Sequence, residues 1–238
     1  MKVVIPAAGL GKRFAGAGFD VPKELLPLGG RPVIGHALWE AARAGFEAAI
    51  VVLSLRKPGL RKFLSENRTP LPVEFIIQPE ALGIGDAVLR CWSGKALGVL
   101  LPDDVVLGVQ HWSKLNELHR EEGSACLCVR EVPLAQTSRF GIAECVGDRV
   151  VGLVEKPKPG ESSSNLAIFG RYIVTQPVVD GLRGLPLKGE IELTDGFAAA
   201  LPFRPGIRAH HFEGDIFDCG TPEAYARSTA RFPLRTVD

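Results

Sequence analysis

"IPAAGLGKRF", residues 5–14, joins an apolar run to a turn that holds Gly9 and Gly11 and closes on Lys12 and Arg13. A turn of this composition suits phosphate oxygens, because glycines let backbone N–H groups approach closely and the two side chains add positive charge. Two common phosphate-binding patterns do not fit it. The G-x-x-x-x-G-K-[ST] pattern fails because Pro6 stands five positions before Gly11 and Arg13 follows Lys12. The G-x-G-x-x-G pattern fails because Phe14 occupies the third glycine position. What remains is a strand followed by G-x-G and two cations.

Outward from this turn, the first half alternates apolar runs with helical stretches. "KVVIP" (2–6), "AAIVVLS" (48–54), "VEFII" (73–77) and "ALGVLLPDD" (96–104) read as strands. Between them, "PVIGHALWEAARAGF" (32–46) sets Ile34, Leu38, Ala41 and Ala42 along one helical face, with Gly45 suited to end it. "KPGLRKFLSEN" (57–67) and "GDAVLRCW" (85–92) are further helices. Continuous Val/Ile/Leu runs separated by helices predict a mainly parallel sheet covered on both faces.

After about residue 120 the rhythm shortens. "ACLCV" (125–129), "FGIAECV" (140–146), "RVVGLVEK" (149–156) and "LAIFGRYIV" (166–174) read as strands, with "VGDR" (146–149) a hairpin turn and "PKPGESSSN" (157–165) a polar loop. "IELTDGFAAAL" (191–201) is a helix, "IRAHHF" (207–212) and "IFD" (216–218) are strands, and "TPEAYARSTARF" (221–232) is a closing helix. Thr221 is its N-cap and Pro222 its first residue. With no internal repeat and no long linker, the expectation is one α/β domain over 1–238: a Rossmann-like, mainly parallel mixed sheet flanked by helices, with a strand-rich second half.

Composition narrows the function classes. The chain has 238 residues, 46% of them hydrophobic, enough for a sizeable core and too many for a disordered protein. Its 28 Lys+Arg against 27 Asp+Glu give a formal charge of +1, without the basic excess that favours nucleic acid. No apolar run approaches the roughly 20 residues of a membrane span. Met1-Lys2 leads straight into a strand-like "VVI", so a cytoplasmic location without a leader is expected. Cys91, Cys126, Cys128, Cys145 and Cys219 form no C-x-x-C pair and read as reduced, mostly buried thiols. His210 and His211 alternate across a strand and read as structural.

A second motif gives the glycine turn its context. "PKELLPLGGRP" (22–32) brings Lys23 back behind the turn after a short spacer. A strand, G-x-G-x-R and P-K-E-L-L-P within the first thirty residues resemble the sugar-phosphate nucleotidyltransferases, which join a nucleoside triphosphate to a sugar 1-phosphate and release pyrophosphate. "VVGLVEKPKPGESSSNLAIFGRYIV" (150–174), "GEIELTD" (189–195) and "DIFDCGTPEAY" (215–225) are similar to the bacterial uridylyltransferase branch that uses UTP and glucose 1-phosphate. The resemblance implies a nucleotide-diphospho-sugar transferase fold, with a nucleotide-binding half at 1–120 and a sugar-phosphate-binding half at 121–238.

It also implies roles for particular residues. The reaction brings two anions together, so positioning and cations matter more than a protein nucleophile. Arg13 matches the family's loop arginine against the triphosphate and leaving group, and Lys23 matches the lysine at the reacting phosphoryl group; these are the catalytic candidates. Ala8, Gly9 and Gly11 would line the nucleotide, and Lys12, where many relatives have Thr, would add a phosphate contact. Gln78 matches the amide that reads the pyrimidine edge, and Gly83 lets the base approach the backbone. Asp103 and Asp218 match the carboxylates that hold Mg²⁺, with Asp104 as a lesser candidate beside Asp103. On the sugar side, Glu155 would accept from ring hydroxyls and Lys156 would bind the 1-phosphate. Gly141, Asn165, Gly170 and Glu190 complete that set, while Asp195 reads as structural.

The expected partners are therefore UTP or dTTP and a sugar 1-phosphate, with no nucleic acid and no membrane; a homo-oligomer is compatible. The chain departs from the resemblance in a short connection between "VVLS" and "IIQPE", a short C-terminus, and "DCGTPEAY", which leans towards enzymes of other sugars. Two alternatives stand beside the main reading: a thymidylyl- or other nucleotidyltransferase for a different sugar 1-phosphate, and a catalytically silent sensor of nucleotide sugars.

Overall fold

The computed structural model describes residues 1–19, 21–186 and 189–233. The chain divides into two compact units that interleave along the sequence. The first comprises Lys2–Ala81, Leu100–Gly108 and the chain from Gly214 onward. The second comprises Leu82–Val99 and Val109–Glu213, and takes in Met1.

In the first unit, strands Val3–Pro6, Ala49–Leu53 and Val73–Ile77 lie side by side in parallel, with Ala49–Leu53 in the middle. Every residue of that middle strand is buried, which is why it reads as an unbroken apolar run. Helix Val33–Arg43 buries Val33, Ile34, Ala37, Leu38 and Ala41, one stripe at helical spacing, and Gly45 follows its end at φ +81°. Helix Pro58–Glu66 buries Leu60 and Leu64 in the same way.

The run "ALGVLLPDD" is not one strand. It divides into Leu97–Leu100 and Asp104–Val106, with Pro102 and Asp103 in a turn between them. Pro102 has no N–H to give to a ladder, so the chain turns there. Strand Asp104–Val106 then runs antiparallel to Ile216–Asp218, placing Asp104 opposite Asp218. Leu28, Val33, Val105, Phe217, Cys219 and Phe232 form the core beneath this pair. Helix Pro222–Arg231 closes the unit, and the Thr221 hydroxyl accepts from the Ala224 N–H at 3.2 Å, the expected cap.

The second unit is a mixed sheet. Strands Ala125–Glu131 and Leu166–Val174 are antiparallel, with a bulge at Gly170 and Arg171. Ile207–His211 runs parallel to Ala125–Glu131 on its other side. Arg149–Glu155 is antiparallel to both Ile207–His211 and Gly141–Val146, the latter through the expected hairpin at Gly147-Asp148. The Arg208 guanidinium binds the Asp148 carboxylate at that turn and holds it below the usual carboxylate range.

Among the helices of eight or more described residues, Gln110–Glu122 and Gln176–Gly184 carry no expectation from the sequence. The first is polar overall, yet it buries His111, Trp112, Leu115 and Leu118 along one face and ends at Gly123 in the left-handed conformation. No helix among the described residues is long and apolar enough to cross a membrane. Four of the five cysteines are buried, and burial pushes the Cys126 thiol up to about 12.

Candidate active site

Residues 7–14 hang from the end of the first unit's parallel strands. The Ala7 N–H donates to the Val52 carbonyl at 2.9 Å, the last rung before the chain turns away. Gly11, at φ +62°, then opens the four-residue helix Lys12–Ala15. Phe14 is 2% exposed and packs edge-on against the rings of Phe19 and Tyr225, at 5.3 and 6.3 Å between centroids. The residue that breaks the dinucleotide pattern is thus the anchor of the turn, leaving Lys12 and Arg13 exposed. Gly9, Gly11, Lys12, Arg13, Lys23 and Gly220 line one cavity of about 210 Å³. Ala8 is buried beside it in sequence, at 3% exposure.

Lys23 sits in the short turn Lys23–Leu25 and donates to Asp103 Oδ2 at 2.5 Å. Burial works to lower its pKa, but the Asp103 carboxylate, helped by Glu24, holds it above the ordinary lysine value. Asp218 Oδ1 accepts from the Gly220 N–H at 2.7 Å, and the Cys219 N–H donates to the Asp103 carbonyl at 2.7 Å. A Cβ on Gly220 would stand 3.1 Å from Asp218 Oδ1 and 3.4 Å from Asp103 Oδ2. Both carboxylates therefore face one point that Gly220 leaves open.

That donor set fits Mg²⁺. This ion takes hard oxygen ligands, and is commonly held by one or two carboxylates together with substrate phosphate oxygens and water. No cluster of three or more His, Cys, Asp or Glu with metal-site geometry occurs among the described residues, so the fit is to a shared site and not to a closed protein cage. Cys219 is no rival ligand. Burial, then the charges of Asp103 and Asp218, pushes its thiol up to about 12, and the thiolate is the ligating form.

Gln78 follows strand Val73–Ile77, is 4% exposed, and donates its backbone N–H to the Leu53 carbonyl at 2.8 Å. Its position at the end of a parallel strand suits a ligand-reading residue.

In the second unit, Gly83 has φ +87°, and a Cβ there would lie 2.5 Å from the Ile191 carbonyl oxygen and 2.9 Å from its nitrogen. The same backbone is tied by hydrogen bonds of 2.8 Å from Ile191 N–H to Leu82 O and from Gly85 N–H to Ile191 O. Gly83 thus has a packing reason to be glycine in addition to the one expected.

Gly141 stands directly opposite Glu155 in the hairpin, and a Cβ on it would meet Thr194 Oγ1 at 2.6 Å and Glu155 Oε2 at 3.0 Å. Lys156 adopts φ +45°, unusual for a side-chain-bearing residue, while its N–H donates to the Phe140 carbonyl at 3.0 Å. Its ammonium bridges Glu155, at 2.9 Å, and Glu192, at 2.7 Å. Burial lowers its pKa, but the hydrogen bonds to Glu192 and Glu155 outweigh this and raise it.

Glu192 carries no expectation from the sequence, because spacing alone does not separate it from Glu190. The structure leaves Glu190 exposed and sets Glu192 on Lys156. Asp195 shares this surrounding: burial first, then the charges of Glu155 and Glu192, raises its pKa. The Asn165 carbonyl accepts from the Val132 N–H at 3.0 Å, and Gly170 lies at the bulge of the Leu166–Val174 strand.

A parallel α/β layer bearing a cationic glycine turn, with two carboxylates directed at the space beside it, defines a phosphate-handling enzyme class. The chain belongs to the nucleotidyl transferase family, whose model matches residues 2–232. It is 32% identical to the UTP–glucose-1-phosphate uridylyltransferase of Mycoplasma pneumoniae, over 99% of this chain and 93% of that protein. It is 34% identical to UTP–glucose-1-phosphate uridylyltransferase 2 of Staphylococcus saprophyticus, over 98% and 92%. Among solved structures, a UDP-glucose pyrophosphorylase complexed with UDP-glucose superposes with a TM-score of 0.85 at 27% identity, covering 96% of this chain and 97% of that one. The UTP-bound enzyme from Acinetobacter baumannii gives 0.81 at 29%, covering 98% and 93%. The protein is a nucleotidyltransferase similar to the UDP-glucose pyrophosphorylases.

Proposed function

We propose that this enzyme joins UTP to glucose 1-phosphate, releasing UDP-glucose and pyrophosphate. The observation that carries the reading is the cavity lined by the Gly9–Arg13 turn and Lys23, beside the point that Asp103 and Asp218 share. The substrates named for the relatives support the choice of UTP and glucose 1-phosphate.

In this reading, the 1-phosphate oxygen of the sugar attacks the α-phosphorus and pyrophosphate leaves. Lys23 and Arg13 lie against the phosphoryl oxygens and supply fixed positive charge where negative charge builds, which is where preorganised electrostatics lowers a barrier. Lys12 adds charge at the rim. Gln78 can donate and accept together, as a uracil edge requires. Asp103 and Asp218 would hold Mg²⁺, which when bound offsets charge on the phosphate oxygens. In the second unit Glu155 takes the sugar hydroxyls, and Lys156, presented by its two carboxylates, takes the 1-phosphate. No side chain forms a covalent intermediate. A cytoplasmic location belongs to the same proposal.

Pyrophosphate release with Mg²⁺, across UTP, dTTP, CTP, ATP and GTP against a panel of sugar 1-phosphates, tests the reading. Turnover confined to UTP and glucose 1-phosphate supports it, and turnover of another pair replaces the substrates while keeping the chemistry. A folded protein that binds nucleotide but turns over no pair would instead be a silent sensor.

Replacing Lys156 by Ala removes a charged partner of the sugar phosphate. The expected result is a KM for the sugar phosphate raised about tenfold or more, with the KM for the triphosphate changed less than about twofold. The reverse pattern in steady-state kinetics would overturn the assignment of the two sides.

A further inference from the structure

We propose that Lys57 is a positioning residue for the nucleotide end of the reaction, acting through Glu24 and the start of the glycine turn; the proposal rests on the functional reading above. Lys57 lies just before helix Pro58–Glu66 and is 7% exposed, and Glu24, beside Lys23, is 1% exposed. Its ammonium donates to Glu24 Oε1 at 2.8 Å, to Glu24 Oε2 at 2.9 Å and to the Ala7 carbonyl at 3.2 Å. These three acceptors match the three protons of a lysine ammonium.

The contacts tie together three segments far apart in sequence. Ala7 is the residue before Ala8 and Gly9, so its carbonyl marks where the phosphate turn leaves the strand. Glu24 follows Lys23, so holding its carboxylate fixes the short turn from which Lys23 reaches Asp103. Lys57 is itself held by its N–H to the Ser54 carbonyl at 3.1 Å, directly after strand Ala49–Leu53. The Leu53 carbonyl at the end of that strand receives the Gln78 N–H.

Stability is a weak reason for such a pair. Desolvating an ammonium and a carboxylate costs about as much as their attraction returns, and apolar replacements of similar volume are often neutral or stabilising. What an apolar pair cannot supply is direction. A Met–Leu contact would leave the Ala7 carbonyl without its lysine donor and let Lys23 and the turn shift relative to each other. A misplacement of about 1 Å is enough to cost on the order of 10²-fold in rate.

The deciding variant is the double Lys57→Met/Glu24→Leu, which keeps the volume and leaves no orphaned charge. It is expected to melt near the wild-type temperature while kcat falls about tenfold or more and the KM for the sugar phosphate stays within about twofold. Lys57→Arg, which keeps the charge, should recover part of the lost rate. A folded double variant with wild-type kcat would overturn the proposal. Should the double variant fail to fold, Glu24→Asp decides: it keeps both charges and shortens the tether by one methylene, so kcat should fall several-fold, and an unchanged kcat overturns the proposal. Calorimetric affinity for UTP with Mg²⁺ is measured on the same proteins. Wild-type protein that binds UTP without turnover would sink the functional reading alone, and UTP affinity equal in wild-type and double-variant protein would then sink the role of Lys57.

Discussion

Asp103→Asn is expected to lower kcat by about 10²- to 10³-fold while leaving the fold intact. The amide keeps the shape of the side chain but removes its negative charge, and with it both the ion pair to Lys23 at 2.5 Å and half of the proposed cation site. The Asp103 backbone carbonyl, which accepts from the Cys219 N–H, is untouched by the change, so the turn that carries the side chain is expected to persist. Asp218→Asn should behave similarly. Its side-chain oxygen can still accept from the Gly220 N–H, so the local turn persists while the charge is lost. Circular dichroism and a melting curve establish folding, and initial rates over a range of Mg²⁺ concentration establish the loss. Partial recovery at high Mg²⁺ is expected if the lost charge served the cation. Near wild-type rates in either variant would remove that carboxylate from the reaction.

Gly83→Ala is expected to destabilise the protein by about 3 kcal/mol, since a left-handed backbone alone costs an L-residue about 1–2 kcal/mol. The added methyl would lie 2.5 Å from the Ile191 carbonyl oxygen, a backbone atom with no rotamer to move. Shifting Ile191 would break its two hydrogen bonds to the Leu82–Gly85 segment and displace Glu192, the next residue, from Lys156. The KM for the sugar phosphate should therefore rise along with the loss of stability. Gly59→Ala is the control: a Cβ there meets open space within helix Pro58–Glu66, so the substitution should be neutral or slightly stabilising. Urea denaturation midpoints compare the two. A Gly83→Ala protein as stable as wild type would mean that the contact to Ile191 yields easily.

The resemblance between "GEIELTD" and the family offers Glu190 as a sugar-side carboxylate, and the folded chain adds Glu192, which it sets against Lys156. The two carboxylates are two positions apart and chemically alike, so no local pattern tells them apart. The short backbone link of Ile191 to Leu82 and Gly85 decides where the segment runs. Helix Gln110–Glu122 is a different case. Its buried stripe at 111, 112, 115 and 118 and its closing Gly123 are present in the sequence, but the polar remainder masks them.

The sequence by itself determined the parallel strands of the first unit, their helices, the closing helix with its Thr221 cap, and the glycine turn with its two cations. Each of these depends on short-range chemistry: apolar runs, helical spacing, capping and turn residues. Only the tertiary structure decided that the Asp103 turn and the Asp218–Gly220 turn converge on one open point, that Lys57 lies buried between Glu24 and Ala7, and that Lys156 is held by Glu155 and Glu192. Of these contacts, only that between the adjacent Glu155 and Lys156 is local. The others join residues distant along the chain, and which carboxylate meets which ammonium follows from the strand pairings and turns that carry them.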